Sequence, residues 1–248
     1  QESACGQGRN PQGSAQGNGT QILTIHDVDQ PPMHGTFLLV DKPVGFSSFQ
    51  IVRMLQKQYS KVGHAGTLDP FASGLLILLI DQATKEFDNI QKHDKEYTGE
   101  ILLGTVTDTY DITGTETEPR RAVDENMTLT ELNQVASRFV GEIEQTPPRF
   151  SALKHQGKKL YQLSRKNQEV EIPPRRVNIK SFCILDYDAP ILCFKTVVGK
   201  GVYIRSLAHD LGNTLGCGAT LLSLRRTRIG EYRVAEAKKL GTLLSPTC

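Results

Sequence analysis

One stretch concentrates groups able to do chemistry: KVGHAGTLDPFASGL, residues 61–75. Its single carboxylate, Asp69, sits among Gly63, Gly66 and Gly74, which open backbone conformations closed to other residues. Pro70 stiffens the chain immediately after the acid. A carboxylate fixed on a rigid loop between two core elements is well placed for catalysis. The same residues also suit an Asx turn that only shapes the loop, and spacing alone leaves both readings open.

The remaining chemistry is sparse. Five cysteines (Cys5, Cys183, Cys193, Cys217 and Cys248) form no CxxC pair and no ligand spacing, which predicts free thiols in a reducing compartment rather than a zinc site or a disulfide framework. The net charge of +2 conceals an asymmetry. Residues 81–118 carry ten acidic side chains against three basic, whereas residues 149–180 carry nine Lys/Arg against two Glu. One strongly basic stretch in a near-neutral chain suits a face offered to a polyanion, and equally suits a solvated surface hairpin.

The elements that must hold Asp69 can be read on either side of it. With 248 residues, 38% hydrophobic and 23% charged, the chain has material for one large domain or two small ones. Residues 1–32 are rich in Gln, Gly, Asn and Ser, are expected to be a disordered tail, and are assigned no function. Order is expected from about His34. A buried strand over residues 35–40 stops at Asp41-Lys42-Pro43, and Ser47 or Ser48 caps a helix carrying Ile51, Leu55 and Tyr59 up to Lys61 and Gly63. A loop from Gly63 to Gly74 leads to the apolar run 75–80, a buried strand far shorter than the roughly 20 residues of a membrane span. A short helix from about Ala83 and a strand over 97–103 follow.

Thr128 and Glu131 form a capping box before Leu132, Val135, Ala136 and Phe139 at helical spacing. Proline pairs bracket residues 146–176, read as a protruding insertion with a short helix at about 158–166. Strands at 177–187 and 191–198, a helix carrying Ile204, Leu207, Ala208 and Leu211, and a strand near 221–228 complete the reading. Strands gathered between few helices, without regular alternation, predict α+β with a mixed, mainly antiparallel sheet. The expected limits are a catalytic domain over 33–240 and a tail over 241–248.

The segment HAGTLDPFASGL closely resembles the active-site motif of TruB pseudouridine synthases. Agreement extends through DKP at Asp41, Gly45, Ser47-Ser48, Ala83-Thr84-Lys85, Lys95 with Tyr97, and Thr107-Asp108-Thr109. It resumes at SALK ending in Lys154, GKKLY ending in Tyr161, Gly201 with Tyr203-Ile204-Arg205, LGCGA ending in Ala219, and Leu224-Arg225-Arg226. The ordered matches run from about residue 35 to 235 and imply the pseudouridine synthase fold. They also imply isomerisation of a T-loop uridine in tRNA by base flipping and an Asp-dependent break and re-formation of the glycosidic bond.

The resemblance assigns roles by position. Asp69 matches the essential aspartate, and Arg205 its partner, expected to keep the acid ionised. Tyr97 matches the ring that stacks on the target uracil, Tyr203 a second pocket tyrosine, and Leu224 an apolar wall. His64 matches the residue that fills the space left in the RNA. Lys42 is expected as structural support or a phosphate contact, and Asp108 as a minor RNA-positioning group. The basic insertion matches a thumb-like element gripping the T-stem loop, with Lys154, Lys158, Lys159, Arg165 and Lys166 suited to the RNA backbone. No metal or other cofactor, no guide RNA and no membrane is implied; a cytoplasmic monomer lacking the extra C-terminal RNA-binding domain of many relatives is expected. Two other readings remain: an RNA-binding folding helper with incidental catalysis, and a relative of the guide-dependent rRNA-modifying enzymes.

Overall fold

A computed structural model describes residues 21–22, 36–151, 154–155, 158–159 and 172–244. The central feature is a mixed sheet built on three long segments. β2 (Thr36–Lys42) runs antiparallel to β4 (Ser73–Ile80), and β4 meets β11 (Ala219–Ile229) through the parallel pairs Arg225 with Ser73 and Arg226 with Gly74. β11 then pairs antiparallel with β5 (Lys95–Leu103), followed outward by β10 (Ile191–Val198), β9 (Arg175–Asp188) and β6 (Gly141–Gln145). The α+β expectation agrees with this arrangement.

The unbroken apolar run of β4 reflects a strand covered on both faces. Successive side chains alternate: Leu76, Leu78 and Ile80 pack with Ile51, Val52 and Leu55 of α1 (Ser48–Leu55), while Leu75, Ile77 and Leu79 pack with Phe37 and Tyr232. The largest core lies over β5, β9, β10 and β11, closed by α3 (Leu129–Ser137) and α4 (Ile204–Leu215). The capping box of α3 forms as expected from Thr128 and Glu131.

Several local expectations are corrected. The first helix ends at Leu55 with Gln56 as C-cap, so Tyr59 lies beyond it. Residues expected as loop after Gly63 begin instead within β3 (Val62–Ala65), antiparallel to β4, because Val62 and Ala65 find buried positions beside that strand. The short helix placed from Ala83 is a 3-10 turn, Asp81–Glu86, running into α2 (Phe87–Lys92). Lys158–Lys159, expected in a helix, pair with Lys154–His155 as a two-stranded ribbon. Within the expected tail, Gln21–Ile22 pair in parallel with β2. The expected C-terminal tail contributes to the helix Leu240–Leu244, whose Leu243 is buried beside α1. The remainder of 1–32 and residues 245–248 lie outside the described residues, as do Cys5 and Cys248; Cys183, Cys193 and Cys217 are free thiols.

Candidate active site

The loop carrying Asp69 is pinned from three sides. Ser48 Oγ donates to Leu68 O (3.1 Å) and accepts from Leu68 N (2.8 Å), while neighbouring Ser47 is the N-cap of α1. Gly45 N donates to Pro70 O at 2.8 Å, and Ala72 N to Asp69 O at 3.1 Å. From beneath, Arg226 of β11 donates from Nε to Leu75 O (2.8 Å) and from Nη2 to Gly66 O (2.9 Å). The approach of β4 to β11 requires glycine at position 74, where φ is +102° and a Cβ would lie 2.3 Å from Arg226 O.

Asp69 opens into a pocket of about 250 Å³. Its floor is one face of the β5–β11 pair. Lys95 and Tyr97 stand two residues apart on β5, Leu224 and Arg226 two apart on β11, and Tyr97 lies directly opposite Arg226. The N-terminus of α4 supplies the facing wall, with Tyr203 and Arg205. Gln145 fixes that wall by donating to Tyr203 O (3.1 Å) and accepting from Tyr203 N (2.8 Å).

Arg205, only 5% exposed, links the Asp69 loop to two others. Its Nε lies 3.0 Å from Asp69 Oδ2, an ion pair whose N–H is not aimed at the oxygen. Nη1 donates to Thr109 O (3.1 Å) and lies 3.3 Å from Asp111 Oδ2, and Nη2 donates to Phe150 O (2.9 Å). Enclosure by the pocket walls raises the Asp69 carboxyl above the usual carboxylate range; Arg205 opposes this, Asp111 adds to it, and Lys42 opposes it. The expected pairing with Arg205 is present, but burial outweighs it, so the acid is held closer to its protonated form than expected. Burial also pushes the Tyr203 hydroxyl upward.

Of the residues singled out in the sequence, Asp69, Tyr97, Tyr203, Arg205 and Leu224 line this pocket together. Lys42 does not. Its side chain is fully buried, and its ammonium donates to Pro43 O (2.9 Å) and Phe46 O (2.6 Å), bracing the turn that holds Pro70. Of the two roles expected for Lys42, this placement agrees with support and not with a phosphate contact, since the buried ammonium is turned onto those carbonyls. Burial lowers this ammonium to about 8, with Asp69 opposing. His64 stands on β3 outside the pocket lining, half-buried, with burial and Arg226 lowering its pKa. Asp108 Oδ1 accepts from Thr115 N (2.8 Å) and shapes its own turn. The backbones of Lys154, Lys158 and Lys159 form the ribbon; Arg165 and Lys166 lie outside the described residues.

Sequence reasoning missed Lys95, Arg226 and Asp111. The first two had a signal in strand alternation, since each lies two residues from a pocket residue already chosen. Asp111 had only its place in a Thr/Asp-rich turn.

The fold is that of a pseudouridine synthase. In the crystal structure of a Cbf5-Nop10-Gar1 complex, the matching chain superposes with a TM-score of 0.64 at 29% identity, over 84% of this chain and 53% of that one. The model of the TruB family pseudouridylate synthase N-terminal domain matches residues 53–204, and that of the tRNA pseudouridylate synthase B C-terminal domain matches 205–246. The second span begins at Arg205 and includes α4 and β11, so part of it is built into the same pocket. The tRNA pseudouridine synthase B of Chloroherpeton thalassium is 41% identical over 85% of this chain and 89% of its own length; that of Protochlamydia amoebophila is 46% identical over 82% and 77%. This chain belongs to the TruB family of pseudouridylate synthases. Among the described residues no helix is long and apolar enough to cross a membrane.

Proposed function

We propose that the protein converts a T-loop uridine of tRNA to pseudouridine, acting as a cytoplasmic monomer without a guide RNA. The observation that carries this reading is Asp69: held rigidly, paired with Arg205 at 3.0 Å, and open to a pocket walled by Tyr97, Tyr203 and Leu224. A flipped uracil loses its stacking in the RNA, and an aromatic face returns roughly 1–3 kcal/mol. Tyr97 supplies that face, with Leu224 and Tyr203 confining the ring. Asp69 acts ionised on the nucleotide, the N1–C1′ bond breaks, the ring turns while bound, and a C5–C1′ bond forms as the C5 proton leaves and N1 gains one. His64 fills the vacated place in the RNA.

The basic segment that contains Lys154, Lys158, Lys159, Arg165 and Lys166 grips the phosphate backbone, giving affinity that falls with salt. The tRNA reading is favoured over a guide-dependent one by identity: relatives named for tRNA are 41% and 46% identical to this chain, the Cbf5 chain 29%. Incubation of the purified protein with an unmodified tRNA transcript, followed by digestion and nucleoside chromatography, is expected to show one pseudouridine, in the T-loop. Tight binding without any conversion would favour a folding helper. In the same assay, Lys158→Glu with Lys159→Glu is expected to weaken tRNA binding and flatten its salt dependence; an unchanged slope contradicts the grip.

A further inference from the structure

Two cations on the pocket floor form no ion pair among the described residues. Lys95 is 8% exposed and Arg226 1%. The Lys95 ammonium donates to Gln91 O (2.7 Å) and His93 O (2.5 Å), and the Arg226 guanidinium to Leu75 O and Gly66 O. Among the described residues neither forms an ion pair, although Arg205, Arg225 and Arg228 all do. Asp94 acts on Lys95 only at longer range, while burial and Arg226 pull its ammonium down to about 8.

Burying a cation without a counter-ion is costly, and neutral donors could satisfy the same carbonyls more cheaply. What neutral donors lack is charge. The two cations also repel each other across the β5–β11 pair, and both line the pocket that Tyr97 and Leu224 line.

On the proposed reaction, that space holds the detached base. Heterolysis of N1–C1′ sends the bonding pair to N1, and the negative charge spreads over the ring and its carbonyl oxygens. The charge disappears when C5 bonds to C1′, C5 loses its proton and N1 takes one up, so the step balances without an oxidant or reductant. We propose that Lys95 and Arg226 form a preorganised positive floor that stabilises the uracil anion between bond breaking and bond making. Fixed charge aimed where charge develops is among the largest contributions an enclosed site can make.

The proposal rests on the uridine isomerase reading, and its test separates the two. Single-turnover conversion is measured on T-arm stem-loops carrying uridine or 5-fluorouridine at the target position, at slightly acidic pH where N3 keeps its proton. The readout is loss of the target nucleoside after digestion, with RNA affinity measured in parallel. Fluorine at C5 makes the departing ring a weaker base and less dependent on outside charge; with no C5 proton to lose, the re-bonded ring instead adds water across N1 and C6, and loss of the nucleoside still reads the reaction. Lys95→Met is expected to slow uridine conversion about 100-fold at unchanged RNA affinity. The loss on 5-fluorouridine is expected to be about tenfold smaller, and Lys95→Arg to keep most of the wild-type rate. If Lys95→Met does not fold, Lys95→Gln carries the same comparison. Equal losses on the two substrates, or a loss explained by weaker RNA binding, overturn the charged floor and leave Lys95 a brace for residues 91–93. Failure of the wild type to convert either substrate overturns the isomerase reading instead.

Discussion

Asp69 and Asp111 lie against the same guanidinium, 3.0 Å and 3.3 Å from Arg205 atoms, yet their surroundings differ. Asp111 is 5% exposed, and its Oδ1 accepts from Thr109 Oγ1 (2.9 Å), Thr113 N (2.9 Å) and Thr113 Oγ1 (2.5 Å). Asp69 is 36% exposed toward the pocket, and no described residue other than Arg205 interacts with its carboxylate oxygens at hydrogen-bond distance. One acid has an oxygen saturated by its own turn, leaving the other to Arg205. The second acid accepts no such bonds from its turn. On the proposed reaction the contrast gives structure to the first and chemistry to the second: a carboxylate already accepting several hydrogen bonds is a poor nucleophile or base, whereas one held by its backbone and a single cation is free to react.

The largest effect that sharpens this contrast is Asp69→Asn. It is expected to reduce conversion at least about 1,000-fold while leaving melting temperature and tRNA affinity close to wild type, since the side chain bears little of the fold. Asp111→Asn should behave in the opposite way, losing about 3 kcal/mol of stability in a denaturant titration because it breaks a buried charged network. Its residual activity at low temperature is expected to exceed that of Asp69→Asn, and the reverse ranking would break the comparison.

Arg205→Met tests the shared cation through pH. On the proposed reaction Asp69 acts ionised, and its folded pKa is raised, so kcat/KM is expected to fall as pH drops through that raised value. Removing Arg205 takes away the main opposing influence and leaves Asp111 repelling. The acid limb should therefore move to higher pH, and a limb that stays in place contradicts the assignment. The smallest effect is expected from Ser48→Ala, which frees Leu68 N and O at a cost of about 1–3 kcal/mol and loosens Asp69 without removing any reactive group. A kcat decrease of about tenfold with unchanged tRNA affinity would match this positioning role.

How much of this was legible in the sequence follows from what each residue depends on. The Asp69 loop could be read because its glycines and Pro70 carry their own backbone restrictions, and β4 because six consecutive apolar residues admit few other fates. Thr128 and Glu131 announced their helix by a purely local contact. Four-residue β3 was missed, since VGHA has neither alternation nor strand-forming bulk and pairs only because β4 lies beside it. Lys95 and Arg226 were within reach of strand alternation, but their meeting depends on the register between β5 and β11, which residues far apart in the chain decide. For Lys42 the sequence left support and a phosphate contact both open, because only burial decides that its ammonium turns onto carbonyls. Nothing in the spacing of Asp108 and Asp111 tells which carboxylate turns inward to Arg205.

The most direct measurement uses a T-arm stem-loop tritiated at uridine C5, saturated in turn with wild type, Asp69→Asn and Asp111→Asn. Tritium release from wild type and from Asp111→Asn, with none above background from fully bound Asp69→Asn, is the predicted result. Release by Asp69→Asn at a rate near that of the wild type would contradict the assignment of the reaction to this carboxylate.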